Sequence, residues 1–173
     1  VIPYFERWMK FAPTPESLAK LSDARVHKLW EGLGYYSRAR NLKKGAVYLR
    51  DVLKGDFPKR AEDLQQLPGV GRYTSGAIAS IAFNQPAPIV DGNIIRVLTR
   101  FGAIAGDPKE KRVAESLWQR AAELVQAAAA LPARSKLAVR AWRHAWAYPG
   151  HASAFNQSLM RSEEHTSELQ SQF

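Results

Sequence analysis

The stretch LPGVGRYTSGAIAS, Leu67 to Ser80, decides the fold. A short helix predicted from Ala61 to Leu67 is stopped by Pro68 and Gly69. A second begins near Tyr73 and carries Ala77, Ile78 and Ile81 on one face. Pro68, Gly69, Val70 and Gly71 make the turn between them. Gly69 and Gly71 admit backbone angles that a side chain would forbid, and they let another backbone come close. The turn and Arg72 lead into a helix N-terminus, whose free N–H groups suit a phosphate. Contacts of that kind position a nucleic acid without reading its sequence. An ordinary αα-hairpin satisfies the same letters.

Outward from the hairpin the pattern is helical almost throughout. Upstream, Ile2 to Phe11 is amphipathic and is expected to end at Pro13 and Pro15. Ser22 or Asp23 can cap a helix running to about Trp30, stopped by Gly32 and Gly34. From Ser37 to Leu53 the residues Leu42, Ala46, Leu49 and Leu53 keep helical spacing, and Gly55 and Pro58 close that helix. Downstream, Asp91 starts a helix holding Ile94, Ile95, Val97 and Leu98. Lys109 to about Ala130 carries Val113, Leu117, Ala121 and Leu124 in register. No alternating strand is found, so the expected class is all-α, neither a coiled coil nor a repeat array.

Two stretches stand apart. Residues 131–154 are rich in Ala, Arg and Trp and lack a clear period. RSEEHTSELQS, Arg161 to Ser171, interrupts a helix that Phe155 to Met160 begins, and it resembles the translation of a sequencing adapter. Residues 1–160 are therefore read as one partial domain and 161–173 as a non-native tail, set aside for the fold. On this reading the natural C-terminus is missing. Val1 in place of Met suggests the same of the start.

The net charge is +9, from 25 Lys and Arg against 16 Asp and Glu. Without the last thirteen residues it is 24 against 13, or +11. So basic a chain suits a polyanionic partner, most simply nucleic acid. There is no Cys, which excludes disulfides and thiolate metal sites within these residues. No apolar run reaches bilayer-spanning length. The lack of Cys also fits a reducing compartment.

Two further segments carry chemistry. Asp91, in IVDGNIIRVLTR, precedes a helix and serves at least as an N-cap. A helix N-terminus also favours an anion there. Asn93 can orient backbone or sugar. LWEGLGYYSRARNLKKGA, Leu29 to Ala46, places Leu33, Tyr35 and Tyr36 beside Arg38, Arg40, Lys43 and Lys44. Exposed aromatics next to cations suit a base stack beside a phosphate track. The plainer alternative puts at least one Tyr in the core and the cations on a solvated face.

These segments resemble the helix-hairpin-helix glycosylase superfamily, and within it adenine DNA glycosylases of the MutY type. VIPYFERWM at Val1 to Met9, GLGYYSRARNL at Gly32 to Leu42, LPGVGRYTSGAIASIAF at Leu67 to Phe83 and VDGNIIRVLTR at Val90 to Arg100 carry the resemblance. FNQSLM, Phe155 to Met160, looks like the start of the next block. The resemblance implies excision of adenine from A:8-oxoguanine or A:G mispairs in double-stranded DNA, by a monomer. It implies Asp91 as the catalytic carboxylate, Tyr35 wedged beside the 8-oxoguanine with Leu33 nearby, and residues 67–73 on a phosphate, with a monovalent cation on the hairpin carbonyls. Relatives that also cut the strand usually carry Lys at the place of Tyr73, to form a Schiff base. Tyr73 has no amine, so a hydrolytic enzyme is expected, with Tyr73 in its active site.

The resemblance also implies features outside these letters. The family's proton-donating Glu lies before the start of this chain, and neither Glu6 nor Glu31 matches it. Its 4Fe-4S iron–sulfur cluster is held by Cys beyond FNQSLM. The chain is thus expected to be truncated at both ends and inactive on its own. Three alternatives remain open: an endonuclease III-like glycosylase/lyase, a non-enzymatic helix-hairpin-helix module, and an all-α protein with no nucleic-acid role.

Overall fold

A computed structural model describes residues 2–131 and 150–161. The stretch 132–149 and the tail 162–173, on which expectations were set above, lie outside the described residues. Among the described residues every regular element is helical: α1 (Ile2–Phe11), α2 (Pro15–Lys20), α3 (Asp23–Trp30), α4 (Tyr36–Asp51), α5 (Ala61–Leu64), α6 (Arg72–Ala77), α7 (Gly92–Phe101), α8 (Lys111–Ala129) and α9 (His151–Met160). A π-helical turn, Ile78–Ala82, continues α6. The chain divides into two compact units.

The first unit comprises Val1–Pro58 and Asp63–Gly71. Its core is Ala12, Leu18, Ala19, Val26, Ala39 and Ala46, with Trp8, Leu21, Trp30 and Val47 packed against it. The small residues let α2 and α3 lie close on α4. The first helix ends at Phe11, before Pro13, as expected, but Pro15 does more than mark its end. Pro15 opens α2 at its first position, where its missing N–H costs nothing. Thr14 caps it, with Ser17 bonding back in a capping box. Ser22, not Asp23, caps α3, its side chain accepting from the Arg25 N–H at 3.3 Å. In α4 the buried residues are Ala39, Ala46 and Leu49. Leu42, expected on the apolar face, is 45% exposed.

The second unit comprises Lys59–Glu62 and the chain from Arg72 onward. Ile89, Ile94, Leu98, Val113, Leu117 and Ala121 form its core, and Tyr73, Leu159 and Met160 pack on it. The spacing Val113, Leu117, Ala121, Val125 turns one stripe of α8 inward. The helix α9 starts at His151, four residues before the expected Phe155. Gly150, at φ +113°, precedes it and lies against the Asn84 side chain.

Candidate functional site

Asp91 is the N-cap of α7, with extended backbone at φ −121° and ψ −175°. Its Oδ1 accepts from the Ile94 N–H at 2.9 Å. The cap fixes the carboxylate and leaves its remaining lone pairs uncommitted by that bond. Ile89 and Ile94, both fully buried, anchor the residues on either side. Asn93 is half-buried in the first turn of α7.

Tyr73 is half-buried and packs on the same core. Burial pushes its phenol above the ordinary 10.0, and the charge of Asp91 pushes it further the same way. The structure thus brings Tyr73 and Asp91 into one electrostatic neighbourhood. Arg72 precedes Tyr73 at the start of α6. Its guanidinium donates to both Glu115 oxygens, at 3.0 and 3.3 Å, and lies over the Trp118 ring at 4.1 Å. The side chain is therefore engaged with α8. A Gly-Arg-Tyr triplet gives no signal of that, although Glu115 and Trp118, three residues apart, share a helix face.

The run from Asn84 to Val90, between the π-helical turn and α7, has no regular structure of its own. Three residues that sequence reasoning passed over hold it. Gly76, buried in α6, meets the Pro88 carbonyl. Asn156 donates from Nδ2 to the Ala87 carbonyl at 2.9 Å. Ser153 donates its N–H to Asn84 Oδ1 at 3.2 Å and its hydroxyl to the Ile81 carbonyl at 3.1 Å. Half of α9 is polar, so the sequence alone did not single out Ser153 and Asn156.

In the first unit, the loop before α4 is tied to α1. Arg7 Nη2 donates to the carbonyls of Leu29 at 3.0 Å and Glu31 at 3.1 Å. Gly32, at φ +92°, has the Tyr4 hydroxyl 2.7 Å from where its Cβ would be. Trp30 Nε1 donates to the Gly34 carbonyl at 2.8 Å. This loop presents Tyr35 at 80% exposure, in a left-handed conformation with φ 45° and ψ 56°. Leu33 and Tyr36 are 39% and 42% exposed, the latter edge-on to His27. The plainer alternative, with at least one Tyr of the pair in the core, is therefore not met: both rings are exposed. Arg38 is exposed in the first turn of α4.

The hairpin turn closes with the Val70 N–H on the Leu67 carbonyl at 3.0 Å. Gly69, at φ +79°, lies so close to α4 that a Cβ would stand 2.5 Å from the Asn41 Cβ. Among the described residues, no atom lies within 4 Å of the Gly71 Cβ position. Pro68 helps line a groove of about 550 Å³ with Arg40, Lys43, Lys44, Val47 and Tyr48. Lys43 pairs with Asp23, whose carboxyl this hydrogen bond and charge hold below its ordinary range. The predicted residues thus fall in two sets: Leu33, Tyr35, Tyr36, Arg38 and Pro68 to Gly71 in the first unit, and Arg72, Tyr73, Asp91 and Asn93 in the second.

With no Cys, the chain supplies no thiolate for the iron–sulfur cluster that the resemblance implies. No described group of His, Asp and Glu is placed to hold a metal ion. No described helix is long and apolar enough to cross a membrane.

Comparison with known proteins gives the same family from three directions. The family described as HhH-GPD superfamily base excision DNA repair protein matches residues 1–123. Adenine DNA glycosylase of Rattus norvegicus is 54% identical over 129 residues, covering 74% of this chain and 25% of the relative. That of Arabidopsis thaliana is 37% identical over 179 residues, covering 92% and 25%. The chain spans about a quarter of the length of these curated relatives. Among solved structures, a trapped endonuclease III–DNA covalent intermediate superposes with a TM-score of 0.60 at 30% identity, over 68% of this chain and 55% of that one. A thermostable thymine-DNA glycosylase gives a TM-score of 0.62 at 27% identity, over 70% and 56%. The chain belongs to the HhH-GPD superfamily of base excision DNA repair proteins, and within it is similar to adenine DNA glycosylases of the MutY type.

Proposed function

We propose that this chain is the DNA-gripping and carboxylate-bearing part of a glycosylase that hydrolyses the N-glycosidic bond of adenine opposite 8-oxoguanine or guanine. The observation that carries the reading is Asp91 capped on the Ile94 N–H with Tyr73 near enough for the carboxylate's charge to act on its phenol. Departure of adenine leaves positive charge on the sugar, and a carboxylate held at a fixed place stabilises it without reorganisation. Tyr73, its phenol pushed up, stays a hydrogen-bond donor across neutral pH. Because it has no amine, hydrolysis is favoured over strand-cutting Schiff-base chemistry.

The other residues take positioning roles in this reading. The exposed Tyr35, flanked by Leu33 and Tyr36, fills the stack opposite the flipped adenine. Pro68 to Gly71 and the main chain of Arg72 meet a phosphate, with a monovalent cation on the hairpin carbonyls, and Arg38 meets another. Asn93 orients the sugar beside Asp91. The protein acts as a monomer on duplex DNA. Residues 1–173 bind and orient but do not protonate adenine, because neither Glu6 nor Glu31 matches the family's acid; adenine release by the 173-residue chain alone would overturn that part.

The test compares duplexes holding, opposite 8-oxoguanine, either a protonated pyrrolidine or a neutral tetrahydrofuran in place of the adenine nucleotide. The chain should prefer the cation by about tenfold or more, the scale of one close opposite charge. Asp91→Asn should abolish that preference. Equal affinity of the unaltered chain for both duplexes would sink the proposal.

A further inference from the structure

Asp91 stands at the end of a run that cannot hold itself in place. Residues 84–90 form neither helix nor strand, so their buried carbonyls need partners from elsewhere. Ala87 is 8% exposed, and the donor to its carbonyl is Asn156 Nδ2 at 2.9 Å. Asn156 is itself 1% exposed, far from the surface a lone Asn normally seeks. A primary amide in such a place is costly unless bonded, and leaving its partner carbonyl bare is costlier.

The grip comes from two sides. On one, α9 brings Asn156 to Ala87 and Ser153 to Asn84 and Ile81. Asn84 holds a left-handed backbone at φ 52°, with Gly150 against its amide. On the other, α6 brings Gly76 against the Pro88 carbonyl. Ile89 then enters the core with no exposure. Two residues later the chain reaches Asp91. Displacement of Ala87 therefore passes along a short, clamped run to the carboxylate, and a misplacement near 1 Å can cost about 100-fold in rate.

We propose that Asn156 is a positioning residue for Asp91: by holding the Ala87 carbonyl it fixes the run that places the carboxylate. The inference rests on the functional reading above and deepens it. It makes α9 part of the site's support, although α9 presents no residue to the sugar.

The test uses the full 173-residue chain and two readouts. The first is the ratio of affinities for the cationic and neutral abasic duplexes. The second is amide hydrogen exchange at residues 89–92. Asn156→Leu keeps the volume and removes the donor. Asn156→Ser, too short to reach Ala87, carries the same test if the first variant does not fold. Val125→Ala, a fully buried site on α8, controls for general loss of stability.

The expected result is that both Asn156 variants lose most of an about tenfold preference and exchange faster at residues 89–92. The control keeps both properties at a matched drop in thermal midpoint. If the Asn156 variants keep the full preference and slow exchange, Asn156 only stabilises the fold and the proposal is wrong. If the unaltered chain shows no preference, the functional reading fails by itself. Exchange then decides: acceleration confined to the Asn156 variants supports the positioning role, and acceleration equal to the control's overturns it.

Discussion

The carbonyl oxygen of Pro88 occupies the space that a Cβ on Gly76 would need. A helix and an irregular run meet there at backbone distance, three residues before Asp91. Gly76→Ala must push backbone from backbone, because no flexible side-chain end is available to give way. Overpacking of this kind costs about 1–3 kcal/mol. The expected outcome is a lower thermal midpoint, followed by circular dichroism, together with a weaker preference for the cationic abasic duplex. An unchanged midpoint would show that the approach is looser in solution.

Gly71 gives the opposite case. Its Cβ position is open among the described residues, so no described contact requires glycine there. Gly71→Ala should change stability by less than about 0.5 kcal/mol. If a phosphate approaches the turn, however, the methyl group stands in its way and duplex binding falls severalfold. Gly69→Ala should instead lose stability, since Asn41 and a φ of +79° both oppose a side chain. Fluorescence anisotropy with a labelled duplex, beside thermal melts, separates the two. Undiminished binding by Gly71→Ala would remove the hairpin from the DNA interface.

Tyr73 makes a prediction in pH. Its phenol is raised above 10.0, first by burial and then by Asp91. The folded chain therefore keeps that proton longer than the unfolded chain does. The stability contributed by this group is complete below pH 10.0 and is lost as pH rises through the folded value above it. Asp91→Asn should move the Tyr73 titration down towards 10.0 without reaching it, because burial, the larger cause, remains. The phenolate absorbance of each chain, less that of its Tyr73→Phe counterpart, isolates the curve among six tyrosines. No movement in Asp91→Asn would mean that the two groups are not neighbours in solution.

Much of this was legible in the letters, for physical reasons that differ by element. The helices α3, α7 and α8 announce themselves because a capping residue stands directly before, or a buried stripe runs along, a strong 3.6-residue period. The helix α2 was obscured because Pro15 reads equally as a stop and as a first-turn residue, and only Thr14 with Ser17 decides. The start of α9 was hidden by a stretch without clear period. Asp91 and Tyr73 were legible as a pair only through family resemblance. The supports of Asp91 were not, since Gly76 and Asn156 act through contacts 12 and 69 residues distant in the chain. Arg72 shows the same limit: its charge suggested DNA, and its side chain meets Glu115 and Trp118.

Tyr35 offers the most direct test of the wedge. Left-handed backbone at a non-glycine residue costs about 1–2 kcal/mol, and here the ring recovers little of it, being 80% exposed. Such strain at an exposed aromatic fits a side chain held ready for a partner. Tyr35→Gly relieves it, although glycine's greater freedom when unfolded returns about 0.5–1 kcal/mol. The net effect on stability should therefore be neutral to slightly favourable. Affinity for a duplex with 8-oxoguanine opposite the abasic analogue should fall by about tenfold or more, the worth of one stacked base. Tyr35→Phe keeps the ring and should bind as the unaltered chain does. If Tyr35→Gly binds as tightly as Tyr35→Phe, the ring does not enter the stack, and another residue of the loop, Leu33 or Tyr36, takes the place beside the 8-oxoguanine.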